Sequence, residues 1–300
     1  MSDLLDILGS RYPIIQGPIG HINSPKLVAA ICEAGAFGML ALGFINDPEE
    51  AIRLVNEVKG LTDKPFGANL MIMNPFHERF LDILAEAGVK AVTTSAGSPK
   101  GIYPKIHAFG MKGLHVVLSL PHAIRAQDAG VDGVVVSGSE SGGLRTANPE
   151  STTMVLVPLV ADHVRIPVVA AGGIADSRGY KAALALGAQG VQMGTRFIAS
   201  EEGPAPGAWK GAIINCGDGG TTLLPRGSIT TRVIINPKLR EKLEDPTVDL
   251  AGEYDSTNAP KAWMSGDFDL FPAGGGQVSA LIKEVKPVGK IIEEMVSGER

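Results

Sequence analysis

The sequence predicts an α/β fold, a (β/α)8 TIM barrel with a lid-like insertion after strand 8. Short apolar runs alternate with amphipathic segments up to residue 200, with a period of roughly 20 to 30 residues. These runs are continuously apolar, as expected for parallel strands that are covered by helices. Several helical segments end in an Ala-Gly-aliphatic step, such as Ala34-Gly35-Ala36, where glycine supplies the left-handed cap before the next strand. Eight such units favour a closed barrel over an open sheet.

The elements follow one another in strand–helix order. The predicted strands are Ile14–Gln16, Ala36–Leu40, Phe66–Met71, Ala91–Thr93, Gly113–Leu118, Gly133–Val136, Pro167–Ala171 and Gly190–Met193. The predicted helices are Pro25–Ala34, Pro48–Val58, Phe76–Ala87, Ser98–Phe109, Pro121–Ala129, Ser151–His163 and Ser177–Leu186.

The pattern changes after Ser200. Residues 201–272 are rich in Gly, Pro, Asp and Thr and show weak periodicity, which is typical of a lid or a substrate-shaping insertion. A final amphipathic segment, Gln277–Val296, is predicted to form the closing helix or helix pair. We therefore assign residues 1–200 and 273–300 to the barrel and residues 201–272 to the lid.

Composition limits the possible functions. The 300 residues are 44% hydrophobic, enough for a large core, and the net charge of −5 argues against nucleic acid or an anionic membrane as a partner. The acidic N-terminus lacks the basic region of a signal peptide, and no run of 18 apolar residues is present. The two cysteines, Cys32 and Cys216, have no metal-ligand spacing. We expect a cytoplasmic protein in a reducing compartment, with no metal site.

Two Gly-rich turns predict a phosphate site. The apolar run Val168–Ala171 ends in Gly172-Gly173, and the run Val191–Met193 ends in Gly194. A strand that ends in glycine beside a helix N-terminus exposes backbone N–H groups to an anion. In (β/α)8 barrels the phosphate site lies after strands 7 and 8, so we expect a phosphorylated cofactor here.

Six short motifs in order indicate the family. They are Pro13–Ile19 (PIIQGPI), Phe66–Leu70 (FGANL), Glu140–Gly143 (ESGG), Ala170–Ile174 (AAGGI), Gln192–Phe197 (QMGTRF) and Gly274–Gln277 (GGGQ). The ordered set resembles the flavin-dependent nitronate monooxygenase (2-nitropropane dioxygenase-like) superfamily, which also holds FMN-dependent enoyl-ACP reductases. The resemblance covers nearly the whole chain.

The resemblance implies an FMN site. It implies that Gly17, Pro18 and Ile19 touch the isoalloxazine ring, that Asn69 hydrogen-bonds the flavin, and that Gln192 lies near the ring or the ribityl chain. The remaining implied cofactor contacts are Gly143 in the Gly-Gly loop, Gly172, Gly173, Gly194 and Thr195 at the phosphate, and Gln277 from the closing helix.

Leu144 departs from the family pattern. The resemblance places a histidine directly after Gly143, and in the monooxygenases that histidine takes the α-proton of the nitronate. A matching histidine near the flavin is also common in the enoyl reductases. Leucine cannot accept a proton, and loss of a general base costs about 10²–10⁴ in rate. Nitronate oxidation by the usual route is therefore disfavoured.

Other residues are candidates for the reaction. His21, just after the first strand, is a candidate acid/base or substrate-orienting group, and His77 in the loop after the third strand is a weaker one. A loop histidine that faces solvent is the alternative for both. Together with Leu144, we place His77 and Arg145 in the substrate pocket, where arginine would bind an acidic substrate group. A solvated arginine is an equally good interpretation.

Three functions stay open at this point. The first is an FMN-dependent oxidoreductase that moves a hydride between flavin and an enoyl-thioester-like or other unsaturated small molecule, with NADH or NADPH as reductant. The second is a nitronate monooxygenase that oxidises alkyl nitronates with O2 by a route without the usual histidine. The third is a non-catalytic barrel that binds flavin or another phosphorylated ligand. A homodimer is possible.

Overall fold

A computed structural model describes residues 3–146, 148, 150–226 and 229–298. The strands are β1 (Ile14–Gln16), β2 (Met39–Ala41), β3 (Gly67–Met71), β4 (Ala91–Ser95), β5 (Lys112–Val117), β6 (Gly133–Ser137), β7 (Gly143–Thr146), β8 (Val168–Ala171), β9 (Gly190–Met193), β10 (Thr221–Arg226) and β11 (Ile229–Ile234). The α-helices are α1 (Leu4–Leu8), α2 (Pro25–Glu33), α3 (Pro48–Leu61), α4 (His77–Glu86), α5 (Tyr103–Ala108), α6 (Leu120–Asp128), α7 (Thr153–Ala161), α8 (Ser177–Ala185), α9 (Thr195–Ile198), α10 (Gly207–Ile214), α11 (Pro237–Glu244), α12 (Leu250–Glu253), α13 (Ala259–Ser265) and α14 (Val288–Ser297). Short 3-10 segments cover Leu42–Phe44, Pro99–Gly101, Ser256–Asn258 and Gln277–Leu281.

Eight parallel strands form the barrel, which confirms the predicted fold class. Their order is β1-β9-β8-β6-β5-β4-β3-β2, and a parallel bridge between Ile15 and Phe37 joins the first strand to the last. Buried apolar side chains dominate these strands, as expected where a parallel sheet has helices on its outer face. Helix α14 packs against α8 and α2 and completes the outer ring.

Helix α1, which the sequence patterns did not predict, closes the amino-terminal end of the barrel. Asp3 caps its first turn, and Gly9 ends it in the left-handed conformation. Leu4 and Leu8 are 0% and 1% exposed and belong to the same buried cluster as Phe37 at the start of the barrel. The strands' carboxyl ends are therefore the end that is left for a ligand.

Residues 201–272 are more regular than their composition suggested. Hairpin β10–β11 pairs antiparallel with β7, which belongs to the loop after β6, so the two segments form one three-stranded sheet. Helix α10 lies against the barrel, because its Trp209 and Ile213 are buried in the main core. A second small core around Tyr254 and Phe271 holds the other helices of this region together.

Several predicted boundaries shift by a few residues. The predicted helix Ser98–Phe109 is a 3-10 turn followed by α5, because Pro104 lies in the first turn of the helix that forms. The predicted closing segment divides into Gln277–Leu281 and α14, with Pro287 as the residue before α14. Within the described residues, no helix has the length and apolar character needed to cross a membrane.

Candidate active site

One large cavity opens at the carboxyl ends of the barrel strands. Its volume is about 540 Å³, within the range of about 300–1,000 Å³ that is typical of small-molecule sites. The wall comes from the loops after the barrel strands, from β7 and β11 of the small sheet, and from Gly274–Gly276. The barrel, residues from 201–272 and the C-terminal segment thus enclose the same space.

The turns after β8 and β9 form a wall built from backbone. Gly172 and Gly173 have φ of 101° and 73°, a region that side-chain-bearing residues rarely adopt. A Cβ on Gly172 would lie 2.5 Å from the Ser141 hydroxyl, so the loop after β6 packs directly on this turn. Gly194 follows β9 and has no atom within 4 Å of the place of a Cβ. All three glycines line the cavity.

Thr195 joins this wall to the C-terminal glycines. Its hydroxyl accepts a 3.0 Å hydrogen bond from the backbone N–H of Gly276. Gln277, implied as a cofactor contact, is exposed and does not line the cavity, whereas Gly274, Gly275 and Gly276 do. The expectation for Gln277 is therefore corrected. Its backbone N–H donates to the Glu140 carbonyl, so it fixes the loop after β6 instead.

Three residues after β1 form a close apolar wall. Gly17, Pro18 and Ile19 line the cavity, and a Cβ on Gly17 would lie 3.3 Å from the Gln192 side chain. The side-chain oxygen of Gln192 is buried and has no hydrogen-bond partner among the described residues. This acceptor is therefore available to a bound ligand.

Asn69 lies at the cavity floor on β3. It is 2% exposed, its Nδ2 donates to the Thr93 hydroxyl at 2.8 Å, and its Oδ1 accepts from the Ser95 hydroxyl at 3.3 Å. The amide is thereby held in one orientation, with its remaining hydrogen-bonding capacity at the cavity wall.

Glu140 has a structural partner at the cavity edge. Both of its carboxylate oxygens accept from the Thr153 backbone N–H, at 3.0 and 2.9 Å, and one also accepts from the Thr153 hydroxyl. Because Thr153 begins α7, the carboxylate caps a helix N-terminus, where negative charge is favourable. This contact fixes the loop that leads to Gly143, which also lines the cavity.

Leu144 faces the cavity from the small sheet. It lies on β7 directly opposite Thr231 of β11, and both residues line the cavity. Thr231 is 3% exposed, and its hydroxyl has no hydrogen-bond partner among the described residues. The position that follows the Gly-Gly pair is thus apolar, with one unpartnered hydroxyl beside it. Sequence patterns missed Thr231, because its pairing partner is more than 80 residues away in the chain.

Arg145 contributes to the cavity wall but is not a free cation. Its guanidinium forms an ion pair with Glu150, with nitrogen–oxygen distances of 2.7 and 2.8 Å. It also donates to the Ser137 hydroxyl at 2.7 Å and to the Ser137 carbonyl. Because the side chain is 1% exposed and fully engaged, the expected contact with an acidic substrate group is corrected to a buried structural ion pair.

The histidines divide into two groups. His21 lines the cavity and stacks obliquely on Phe44, with ring centroids 4.3 Å apart. His77 does not line the cavity, because it begins α4 and its Nδ1 lies 2.7 Å from the Asn74 carbonyl oxygen. Its assignment to the substrate pocket is therefore wrong.

His122 lines the cavity, although it was not among the candidate site residues of the sequence. It lies in the first turn of α6, where its backbone N–H donates to Ser119. Its position directly after the fifth barrel strand was the available signal, since loops at that end of a barrel form the site.

The cavity has the features that FMN requires. A dianionic phosphate needs several convergent donors, and Gly172, Gly173 and Gly194 let the backbone approach closely. A flavin ring needs a flat apolar wall with a few polar contacts at its edge, which Pro18, Ile19 and the unpartnered Gln192 oxygen supply. Within the described residues, no group of three or more His, Cys, Asp or Glu side chains is arranged to hold a metal ion.

Comparison with known proteins decides the family. The nitronate monooxygenase family model matches residues 1–79 and 73–298. The chain belongs to this family. A 5-hydroxy-7a-methyl-1-oxo-octahydro-1H-indene-4-carboxyl-CoA dehydrogenase of Rhodococcus jostii (strain RHA1) is 34% identical over 241 residues, which are 80% of this chain and 67% of the relative.

Two further relatives represent other branches. A probable nitronate monooxygenase of Staphylococcus saprophyticus is 32% identical over 295 residues, covering 83% of this chain and 80% of the relative. FabK from Thermotoga maritima superimposes with a TM-score of 0.89 at 35% identity, covering 99% of this chain and 95% of that one. The chain is therefore an enzyme of the nitronate monooxygenase and enoyl-ACP reductase superfamily, and an FMN-dependent oxidoreductase. The non-catalytic alternative is set aside.

Proposed function

We propose that this enzyme reduces an α,β-unsaturated carbonyl compound, most simply a thioester, by hydride transfer. The observation that carries the proposal is Leu144, which lines the cavity at the position where the family resemblance implies a histidine base. Proton abstraction needs such a base, whereas hydride delivery to a polarised double bond needs positioning and a donor to the carbonyl oxygen.

The cavity wall supports an apolar substrate. Beyond the glycine turns it is lined by Met71, Met73, Val116 and Leu118, and by Ile229 and Trp263 of the lid region. Of these, Met73 is 70% exposed, so a ligand can cover apolar area that now faces water. An acyl chain fits this surface better than a short charged nitronate does.

The relatives give independent support for a thioester. The Rhodococcus jostii relative is named as a dehydrogenase of a carboxyl-CoA compound, and it aligns over four fifths of this chain. From this relative we carry over to the present enzyme only the substrate class, an acyl thioester that gains or loses two hydrogen atoms.

The cofactor contacts in the proposal are those that line the cavity. When bound, FMN supplies the two-electron chemistry by which a hydride passes from a reduced nicotinamide to the substrate. The proposed contacts are Gly17, Pro18, Ile19, Asn69, Gly143, Gly172, Gly173, Gln192, Gly194 and Thr195. The backbone groups bind the phosphate, Gln192 and Asn69 orient the ring, and the lid excludes water. We propose NADH or NADPH as the reductant.

Anaerobic half-reactions test the proposal. The FMN-loaded protein is mixed with NADH or with NADPH, and the flavin absorbance is followed; at least one nucleotide is expected to bleach it. Crotonyl-CoA or a longer enoyl-CoA is then added, and the yellow colour is expected to return with formation of the saturated thioester. Failure of every nucleotide to bleach the flavin, or of every enoyl thioester to restore its colour, would rule out the proposal.

A second candidate, nitronate oxidation with O2, is favoured by one specific observation. His21 lines the cavity on the loop after β1, next to the proposed ring wall. In this alternative it takes the substrate proton. Oxygen consumption with ethyl nitronate or propionate 3-nitronate measures the activity, and an unchanged rate in His21→Ala excludes His21 as the base.

Assembly, domain roles and location complete the proposal. We propose a homodimer, because Met154, Val155 and Leu159 of α7 are exposed apolar side chains on one helix. Light scattering on the purified protein checks the molecular mass of the assembly.

We also propose that residues 201–272 act as the substrate-shaping lid on the barrel formed by 1–200 and 273–300, and that the enzyme is cytoplasmic.

A further inference from the structure

A buried chain of hydrogen bonds runs from the barrel wall to the cavity. It starts at the Tyr103 hydroxyl, which lies 3.2 Å from the Thr94 hydroxyl. Thr94 is in turn 2.7 Å from Nδ1 of His115. Nε2 of His115 lies 3.2 Å from Nε2 of His122, which lines the cavity. Tyr103, Thr94 and His115 are 1%, 0% and 0% exposed, so water does not compete for these bonds.

Each bond in this chain holds one proton, and three arrangements satisfy all three bonds, because the Thr94 hydroxyl can donate once and accept twice. In the first, Tyr103 donates to Thr94 and every later bond points toward the cavity; in the second, every bond points back toward Tyr103. In the third, Thr94 accepts from both Tyr103 and His115, and its own hydroxyl hydrogen has no acceptor among the described residues. In the second arrangement the Tyr103 hydroxyl hydrogen has no acceptor, since Thr94 is its only hydrogen-bond partner among the described residues. A buried donor without an acceptor is costly, so the first arrangement is favoured.

The favoured arrangement determines the tautomer of His122. Thr94 donates to Nδ1 of His115, and Nε2–H of His115 donates to Nε2 of His122. The proton of a neutral His122 then resides on Nδ1, the nitrogen that has no protein partner among the described residues.

The surroundings keep both rings neutral at pH 7. Burial lowers the pKa of His115 to about 3, with a smaller contribution from His122. Burial also lowers the pKa of His122, and Arg125 on the same helix adds to this effect. The N-terminal end of α6 further disfavours positive charge on His122. A neutral imidazole at a helix N-terminus polarises a carbonyl as a hydrogen-bond donor and does not act as an acid.

We propose that His122 is a catalytic residue whose neutral ring donates an Nδ1–H hydrogen bond to the substrate carbonyl oxygen, and that Tyr103, Thr94 and His115 position it in that tautomer. The inference rests on the proposed reductase function for its substrate. It assigns the hydrogen-bond donor that hydride transfer needs. His122 follows β5, and β6 separates this part of the cavity wall from the turns after β8 and β9. The hydride adds to the β-carbon of the substrate, negative charge develops on the carbonyl oxygen that His122 binds, and the α-carbon then takes a proton from solvent. No proton leaves His122, so its ring stays neutral throughout.

The tautomer is measured first, on the full-length protein and without any substrate. In ¹⁵N-labelled protein, long-range ¹H–¹⁵N spectra at pH 7 are expected to show His122 protonated on Nδ1. Thr94→Val removes the hydroxyl that donates to Nδ1 of His115, so His122 is expected to become a mixture of tautomers. A wild-type His122 protonated on Nε2, or an unchanged Nδ1–H form in Thr94→Val, overturns the positioning role.

Kinetics test the catalytic role. His122→Leu is expected to slow reoxidation of the reduced flavin by enoyl thioester about 10²–10³-fold, the usual effect of losing one oxyanion donor. Flavin reduction by the nicotinamide is expected to stay within a factor of three. His122→Asn, whose amide places a donor near the original Nδ1, is expected to recover at least tenfold. Equal rates in wild type and His122→Leu overturn the role.

The outcomes separate this inference from the function on which it rests. A wild-type enzyme that reduces no enoyl thioester refutes the proposed function, and with it the catalytic role of His122, while the tautomer measurement still decides the positioning chain. A wild-type enzyme that turns over normally while His122→Leu matches it refutes only the inference. If His122→Leu does not fold, the recovery in His122→Asn relative to His122→Gln, which places its donor near Nε2, decides the catalytic role.

Discussion

The two ends of the cavity are built from different parts of the chain. The proposed phosphate end consists of backbone at Gly172, Gly173 and Gly194, and its shape depends on the positive φ of Gly172 and Gly173 and on the packing of Ser141 against Gly172. The proposed reaction end consists of side chains on separate elements, among them Leu144, Thr231 and His122. A backbone-built end tolerates little change, whereas a side-chain-built end is altered by single substitutions. This difference explains how one family holds one cofactor and several reactions.

The largest expected effect tests what holds the reaction end in place. Glu150→Gln leaves the 1%-exposed Arg145 side chain without its counter-ion and is expected to cost about 3–5 kcal/mol of unfolding free energy. Glu57→Gln is the control, because the Arg53–Glu57 pair is exposed and is worth about 0.5 kcal/mol. Urea denaturation measures both. Equal losses would show that β7 does not depend on its buried ion pair.

The next prediction concerns a change in the reaction that the enzyme catalyses. Leu144→His places a histidine where the family resemblance implies a base, and it is expected to raise nitronate oxidation about 100-fold, within the range for a general base. Leu223→His, on β10 of the same small sheet but outside the cavity wall, is the control and is expected to change nothing. Oxygen uptake with ethyl nitronate is the measurement. No gain in Leu144→His would mean that the side chain at 144 does not decide the reaction.

The backbone end has its own test. Gly172→Ala adds a Cβ at a φ of 101° and against Ser141, and is expected to cost about 1–3 kcal/mol of stability. It is also expected to weaken FMN binding about 10- to 100-fold, the effect of misplacing one charge-assisted hydrogen bond. Gly88→Ala has a φ of 80° with no atom within 4 Å, so it carries the same backbone strain away from the cavity. FMN fluorescence titration is expected to show weakened binding only in Gly172→Ala.

A smaller effect concerns the buried histidines behind the reaction end. The pKa of His115 is lowered from 6.5 to about 3, so below pH 6.5 the unfolded chain binds a proton that the folded chain does not. Stability is therefore complete above pH 6.5 and is lost as the pH falls toward 3, by about 2 kcal/mol between pH 7 and pH 5. His115→Leu is expected to flatten this dependence, and His163→Gln, on an exposed helix end, is expected to keep it. Thermal unfolding across this pH range is the measurement.

The smallest effect is at Thr231. Its buried hydroxyl has no hydrogen-bond partner in the part of the chain that the structure describes, so Thr231→Val is expected to stabilise the protein by about 1 kcal/mol. It is also expected to raise the KM for an enoyl thioester about fivefold, if the hydroxyl completes its hydrogen bond with substrate. Thr230→Val is the matched neighbour, since its hydroxyl already contacts the Thr146 carbonyl. A rise in KM for both variants would argue for a general effect of the hairpin.

The same division explains what the sequence reveals. The barrel and the backbone end depend on local patterns, namely apolar runs that stop at glycine, and Gly172, Gly173 and Gly194 line the cavity. The reaction end depends on contacts between distant segments. The pairing of β7 with β11 has no local signature, so neither Thr231 nor the small sheet was predicted.

The errors at single residues have physical causes of the same kind. Arg145 is indistinguishable in sequence from a substrate-binding arginine until its buried Glu150 partner is seen. His77 hydrogen-bonds to the turn that starts α4, and the Gln277 side chain points outward because the backbone of Gly276 occupies the inner position. His122 looks exposed at the start of a helix, and only the fold places it at the cavity.

Helix α1 has a consequence for kinetics. Since Leu4 and Leu8 fill the amino-terminal end of the barrel, reductant and substrate must enter and leave through the same cavity opening at the opposite end. One molecule has to depart before the next can approach. We therefore expect the enzyme to follow a ping-pong scheme, with parallel lines in double-reciprocal plots and each substrate inhibiting the other at high concentration.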